Sequence, residues 1–235
     1  MLYIPRITNI LILLLVLGTS GCVTVKEEPQ NPVAAWVLKL LPDSPQVRRQ
    51  KLLERLGSAD ADQRRQGVLM LGEGQAPTWE ATAKILRIMA RGDVDAQVRA
   101  AAVQVLVKNY AIENIMDTLK ETANDKSLLV RRETLEGVCR RQQDDAMEIL
   151  LVMREKDEER SIRARAAEVL AKYRNRKVIR SLINGLEDPE FAVSFQSRES
   201  LKKLTGRDFD YDSKEWQGWL ATSEDPFAAL AGDYE

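Results

Sequence analysis

Four segments of this chain carry one pattern: DVDAQVRAAAVQVL from Asp93, DKSLLVRRETLEGV from Asp125, DEERSIRARAAEVL from Asp157 and DPEFAVSFQSRESL from Asp188. Anchored on their aliphatic residues Val98, Val130, Ile162 and Val193, they recur at spacings of 32, 32 and 31. A less regular copy, DADQRRQGVLMLG, begins at Asp60, and its anchor position, Gln63, lies 35 residues before Val98. Each copy has an acid just before the expected helix, then an aliphatic residue, usually an arginine next, and then apolar or small residues for about two turns. A period of this length marks one supersecondary unit laid down repeatedly. Such a unit cannot bury its own apolar face alone, so stacking on its neighbours supplies the core.

The periodicity within each copy predicts a helix. Val98, Ala101, Ala102, Val105 and Leu106 fall on one helical face, and Ile162, Ala166, Val169 and Leu170 do so one copy later. Asp60, Asp93, Asp125, Asp157 and Asp188 are placed to cap these helices, whose first N–H groups need acceptors. Between the copies lie further periodic segments: WEATAKILRIMA from Trp79, IENIMDTLKETA from Ile112, AMEILLVMRE from Ala146 and KVIRSLINGL from Lys177. Each unit is therefore expected to be two antiparallel helices joined by short polar turns. The fold class is all-α, about five helical hairpins long.

On these residues the chain resembles HEAT repeats, particularly the short PBS-lyase-like kind, over residues 43–206. The resemblance implies a right-handed α-solenoid with helical caps and a curved surface for a protein partner. In that pattern a turn aspartate and an arginine early in the second helix recur in register. Arg64 or Arg65, Arg99, Arg131 and Arg163 fill the arginine position here, and Ser194 replaces it in the last copy. The main reading of these arginines is a structural ladder against the turn acids. The second is partner binding, in which Arg132 joins them through the Arg131–Arg132 pair. Some proteins of the PBS-lyase kind attach or remove bilins, but the polar groups of a tetrapyrrole pocket find no match in this chain. No enzyme activity is expected.

Both ends of the array look like caps. PVAAWVLKLLP, from Pro32 to Pro42, is a short amphipathic segment bounded by prolines. LTGRDFDYDSKEWQGWLA runs from Leu204: Gly206 ends a helix, Ser213 is placed to cap the next, and Trp216 and Trp219 fall on one side of it. The tryptophans are expected to form a lid on the last repeat or, alternatively, an aromatic peptide-binding patch. The predicted organisation is residues 1–21 as a signal, 22–31 as a tether, 32–206 as cap helix and array, 207–223 as the capping helix and 224–235 as an acidic tail.

The N-terminus predicts an address. One basic residue, Arg6, precedes an apolar run from Ile10 to Leu17, and Gly18, Thr19, Ser20 and Gly21 lead to Cys22. The run is too short for a comfortable membrane span, and the order is that of an export signal. Ser20, Gly21 and Cys22 resemble the end of a bacterial lipoprotein signal, with Thr19 where leucine is usual. The resemblance implies a lipid on Cys22 and, with Val23 in place of a retaining aspartate, a periplasm-facing outer membrane in a two-membrane organism. An ordinary cleaved signal and an uncleaved anchor are the competing readings.

Composition narrows the chemistry. There is no histidine, the commonest metal ligand and general base, and Cys139 is the sole cysteine besides Cys22. Lys and Arg number 35 against 36 Asp and Glu, which gives no electrostatic argument for a nucleic-acid partner. Asp208, Asp210 and Asp212 alternate, but the glycine and distal glutamate of a calcium loop are missing. LGEGQ at 71–75 reads as a helix end and turn, and the acids of REKDEERS as a solvated turn. No metal or cofactor is expected. The partner is expected to be a protein of unknown identity, held either transiently by an adaptor or permanently by an assembly subunit.

Overall fold

The computed structural model describes residues 46–73, 80–140 and 144–228. The predicted signal, Cys22 with its tether, the proline-bounded segment 32–42, Trp79 and the final residues 229–235 lie outside these.

Eleven α-helices and one 3₁₀ turn are seen among the described residues, with no strand. The described residues divide into two compact units that part between Thr122 and Ala123. In the first unit, α1 (Gln46–Leu56) packs on α2 (Ala61–Leu71), α3 (Glu80–Gly92) on α4 (Ala96–Asn109), and α2 on α4. A 3₁₀ turn at Ile112–Asn114 leads to α5 (Met116–Thr122), which packs on α3. In the second unit α6 (Leu128–Cys139), α8 (Arg160–Leu170) and α10 (Phe191–Thr205) pack in succession. Beside them run α7 (Asp144–Lys156), α9 (Arg176–Gly185) and α11 (Ser213–Thr222). Within each unit most helices meet a sequence neighbour or the helix two along, the contact pattern of a layered helical repeat. The even-numbered helices are the recurring segments of the sequence.

Their apolar faces are buried as the periodicity requires. Val98, Ala101, Ala102, Val105 and Leu106 of α4 and Ile162, Ala166, Val169 and Leu170 of α8 all lie in the core. Small side chains let helices approach closely. At Gly185 the approach is so tight that a Cβ would strike the Ser197 hydroxyl and lie 3.2 Å from Arg154 Nη1. Cys139 is buried, and its thiol is pushed up to about 11, chiefly by desolvation.

The caps differ from expectation in register. Asp60 does cap α2, accepting from the N–H groups of Asp62 and Gln63. Elsewhere the N-cap position falls two residues after the repeat acid, at Asp95 for α4, Ser127 for α6, Glu159 for α8 and Glu190 for α10, and of these Asp95 and Glu159 accept helix N–H groups through their side chains. Asp93, Asp125, Asp157 and Asp188 instead accept the backbone N–H of those four cap residues. Spacing explains the difference. The capping side chain must sit just outside the first turn to reach the second and third N–H groups. Ser213 is likewise the first residue of α11 rather than its cap. Asp212 caps that helix, and the Ser213 hydroxyl donates to Glu187.

Candidate interaction surface

Three of these aspartates, Asp93, Asp157 and Asp188, each meet an arginine from a preceding copy. Arg64 grips Asp93 with two hydrogen bonds, Nε–Oδ2 and Nη2–Oδ1, both 2.8 Å. Arg131 grips Asp157 in the same way at 2.8 and 3.2 Å, and Arg163 grips Asp188 at 2.8 and 3.0 Å. This parallel fork is the strongest geometry open to an arginine and a carboxylate. The third nitrogen, Nη1, turns back to the carbonyls of its own turn. It reaches Ser58 and Ala59 from Arg64, Asp125 from Arg131, and Asp157 and Glu158 from Arg163. Arg99 repeats this last contact, donating to the carbonyls of Asp93 and Val94.

The ladder is largely dry. Arg131 and Asp157 keep 7% and 2% of their side-chain surface. Burial works against the charge on Arg131, but the Asp157 hydrogen bond and the carboxylates of Asp157 and Glu158 raise its pKa overall. Arg163 is raised by its Asp188 bond despite desolvation. Burial also pushes Asp188 up, yet the bond from Arg163, the Glu190 N–H and nearby cations hold it below the usual carboxylate range.

The sequence-derived arginine candidates therefore separate. Arg64, Arg99, Arg131 and Arg163 point inward along the ladder, and Arg64 rather than Arg65 is its member in the first unit. Arg65 is partly exposed beside Asp62 at 3.3 Å, and Arg132 is exposed on α6. Arg154, read as part of a solvated turn, is buried on α7, where it donates to Ser181 Oγ at 2.9 Å and to Glu155 at 3.1 Å. Desolvation lowers its pKa.

The ladder ends at α10, where Ser194 replaces arginine and its hydroxyl bonds the Phe191 carbonyl. Here the second unit exposes aromatic rings that sequence reasoning missed. Phe191 is 71% exposed, and Phe195 and Tyr211 are also exposed. Phe191 lies 5.8 Å from Phe195 and 6.4 Å from Tyr211, ring centre to ring centre. Arg198 sits 5.4 Å over Tyr211 and is clamped by Asp208 at 2.6 Å and Asp210 at 2.8 Å. Register held the missed signal. Phe191 and Phe195 take the positions of Leu128 and Arg132 in α6 and of Arg160 and Ala164 in α8. These positions flank the anchor residue and lie off the buried face. Around them the even-numbered helices carry cross-helix ion pairs, Arg160–Glu190 at 3.1 Å and Arg165–Glu136 at 3.5 Å.

The tryptophans are less exposed. Trp216 is fully buried, its Nε1 donating to the Asp210 carbonyl at 3.1 Å and its ring edge-on to Phe209. Trp219 packs against it at 5.8 Å. Arg176 pins the end of this helix by donating to the carbonyls of Leu220, Ser223 and Glu224. Arg174 reaches the Phe227 carbonyl and covers its ring at 5.4 Å. Trp216 thus has the geometry of a lid. Asp208 and Asp210 are occupied by Arg198, and no cluster able to hold a metal ion occurs among the described residues.

No protein-family model matches the chain, and no curated protein matches it. Among solved structures it is similar to the X-ray structure of Escherichia coli YibA, at 18% identity over 95% of this chain and 89% of that one, with a TM-score of 0.55. Likeness at this identity extends to the fold alone.

Proposed function

We propose that this chain is a non-catalytic protein-interaction module of the bacterial cell envelope, held to a membrane by lipid on Cys22. Its architecture is a right-handed solenoid of HEAT-like hairpins, and its partner is engaged through the even-numbered helices of the second unit. The observation that carries this reading is the aromatic cluster Phe191, Phe195 and Tyr211, exposed among ion-paired side chains. A small apolar centre within a charged surround is the anatomy of a non-obligate interface, with aromatic residues supplying most of the binding energy. An obligate subunit interface is more uniformly apolar, so the adaptor reading is favoured over the permanent subunit.

The test is photocrosslinking in cells from a crosslinker placed at Phe191, with a second at the exposed Arg207 as reference. One protein captured from position 191 and not from 207 is expected. A Cys22→Ala chain is expected to lose both lipid labelling and membrane fractionation. Absence of any specific partner overturns the interaction module, and an unchanged membrane fraction overturns the anchor.

A further inference from the structure

Resting on the interaction reading above, we propose that the Phe191–Phe195–Tyr211 cluster recognises a cationic protein segment, with lysine or arginine beside apolar side chains. Three observations converge on this chemistry. The first is charge. From Glu187 to Asp212 the chain carries seven carboxylates against four cations, and two of the seven, Asp188 and Glu190, are paired by Arg163 and Arg160 of the preceding repeat helix. Asp210 and Asp212 are exposed beside the rings, and Glu190 at the N-terminus of α10 is partly so. The Glu190–Arg160 pair is exposed on both sides, and Asp210 keeps 81% of its surface beside the largely buried Arg198, so an incoming cation can meet these carboxylates at little cost.

The second is ring geometry. Phe191 is tilted 39° to Phe195 and 44° to Tyr211. The cluster therefore offers ring faces set at an angle to one another. Angled faces suit a rounded aliphatic side chain or a guanidinium. The third is that the cluster already holds one cation, Arg198 at 5.4 Å over Tyr211. A second on the bare Phe191 ring would use the same attraction, which operates within about 6 Å of a ring centre. The acidic rim also disfavours insertion of these rings among anionic lipid headgroups.

The probes are two fluorescein-labelled twelve-residue peptides, one alternating arginine with leucine and the other glutamate with leucine. Each is titrated by fluorescence anisotropy with the full chain carrying Cys22→Ala. The arginine peptide is expected to bind at least tenfold more tightly than the glutamate peptide, and to weaken as salt rises from 50 to 500 mM, on the order expected for screened surface charge. Phe191→Ser is expected to weaken it about tenfold, the scale of losing one interfacial anchor. Phe191 is largely outside the core, so its thermal melt should match the parent chain.

Equal binding of both peptides, no binding of either, or full binding by Phe191→Ser overturns the proposal. Phe191-dependent capture on phosphatidylglycerol vesicles, without peptide binding, replaces it with a lipid contact. A partner crosslinked from position 191 through an acidic or wholly apolar segment leaves the interaction module standing and refutes only the cationic chemistry.

Discussion

Asp157→Ala isolates the ladder. The change removes both acceptors of the Arg131 fork and the acceptor of the Glu159 N–H, which lies 2.8 Å away. It strands a guanidinium that retains 7% of its surface. Removing one partner of a buried pair costs about 3–5 kcal/mol, because the remaining charge stays desolvated. Glu158 is 3.1 Å from Arg131 Nη2 and almost fully exposed, so it can swing in and take part of the load. The expected cost is therefore at the lower end, about 3 kcal/mol. For a chain of this size that corresponds to a fall of roughly 6–12 °C in Tm. Adding Arg131→Met to Asp157→Ala removes the stranded charge and should recover about 1–2 kcal/mol, a coupling of ordinary size for residues in contact. Urea unfolding followed by far-UV circular dichroism measures both, with an unchanged m-value showing that the same surface unfolds. Arg160→Ala, which breaks an exposed pair, is the control and should cost no more than about 1 kcal/mol. If Asp157→Ala costs no more than this control, or the double variant is worse than the sum of its parts, the ladder does not hold the repeats together.

Acid should weaken the second unit through Asp188. Its folded pKa lies below the unfolded value of about 3.9, so it contributes stability above that pH and loses it as the pH falls through the folded value. The urea midpoint should accordingly drop between about pH 5 and pH 3, with a shallower drop in Asp188→Asn; parallel curves refute the assignment. Trp216→Ala empties a fully buried site and should cost about 3–5 kcal/mol by urea unfolding. Gly185→Ala must displace Ser197 and should cost about 1–3 kcal/mol, with Ser197→Ala restoring part of it; a neutral Gly185→Ala would show that α9 and α10 are not this close. In a Cys22→Ala chain, Cys139 should resist a thiol reagent at pH 8 until denaturant is added, since burial holds its thiol near 11. Rapid labelling of the folded chain excludes the buried placement.

Helices were the most legible part of the sequence because their evidence is distributed. Val98, Ala101, Val105 and the matching residues of later copies repeat one face, and a periodic face constrains burial whatever the partner helix is. The capping acids were less legible. Asp93 and Asp95 stand two residues apart, either has the chemistry of a cap, and only the geometry of the first turn assigns Asp95 to it. The arginines were ambiguous for the same reason. An arginine beside a helix start can reach solvent or fold back to a turn, and its destination depends on an acid 25 to 29 residues away. That acid is visible in the sequence as the next repeat aspartate, so the ladder was legible as a pattern. Which arginine of the pair at 64 and 65 joined it was not. Arg154 was misplaced because its position on α7 turns it toward Ser181, a residue outside its own repeat.

The aromatic cluster escaped notice because a repeat directs attention to what its copies share. Phe191 and Phe195 belong to a copy that departs from the arginine pattern, and they stand off the face that periodicity tracks. Their departure coincides with the loss of the ladder arginine at Ser194, so the last repeat lacks the inward cation and carries two rings where α8 has Arg160 and Ala164. A capping repeat needs the opposite, a polar outer face that keeps the array soluble. Trp216, Phe209 and Leu220 already close the end of the core, leaving Phe191 no structural task that its 71% exposure can serve. Exposed rings kept where the fold gains little from them are best explained by something that covers them. Substitutions at Phe191 should therefore separate binding from stability, whereas substitutions at Trp216 should damage both together.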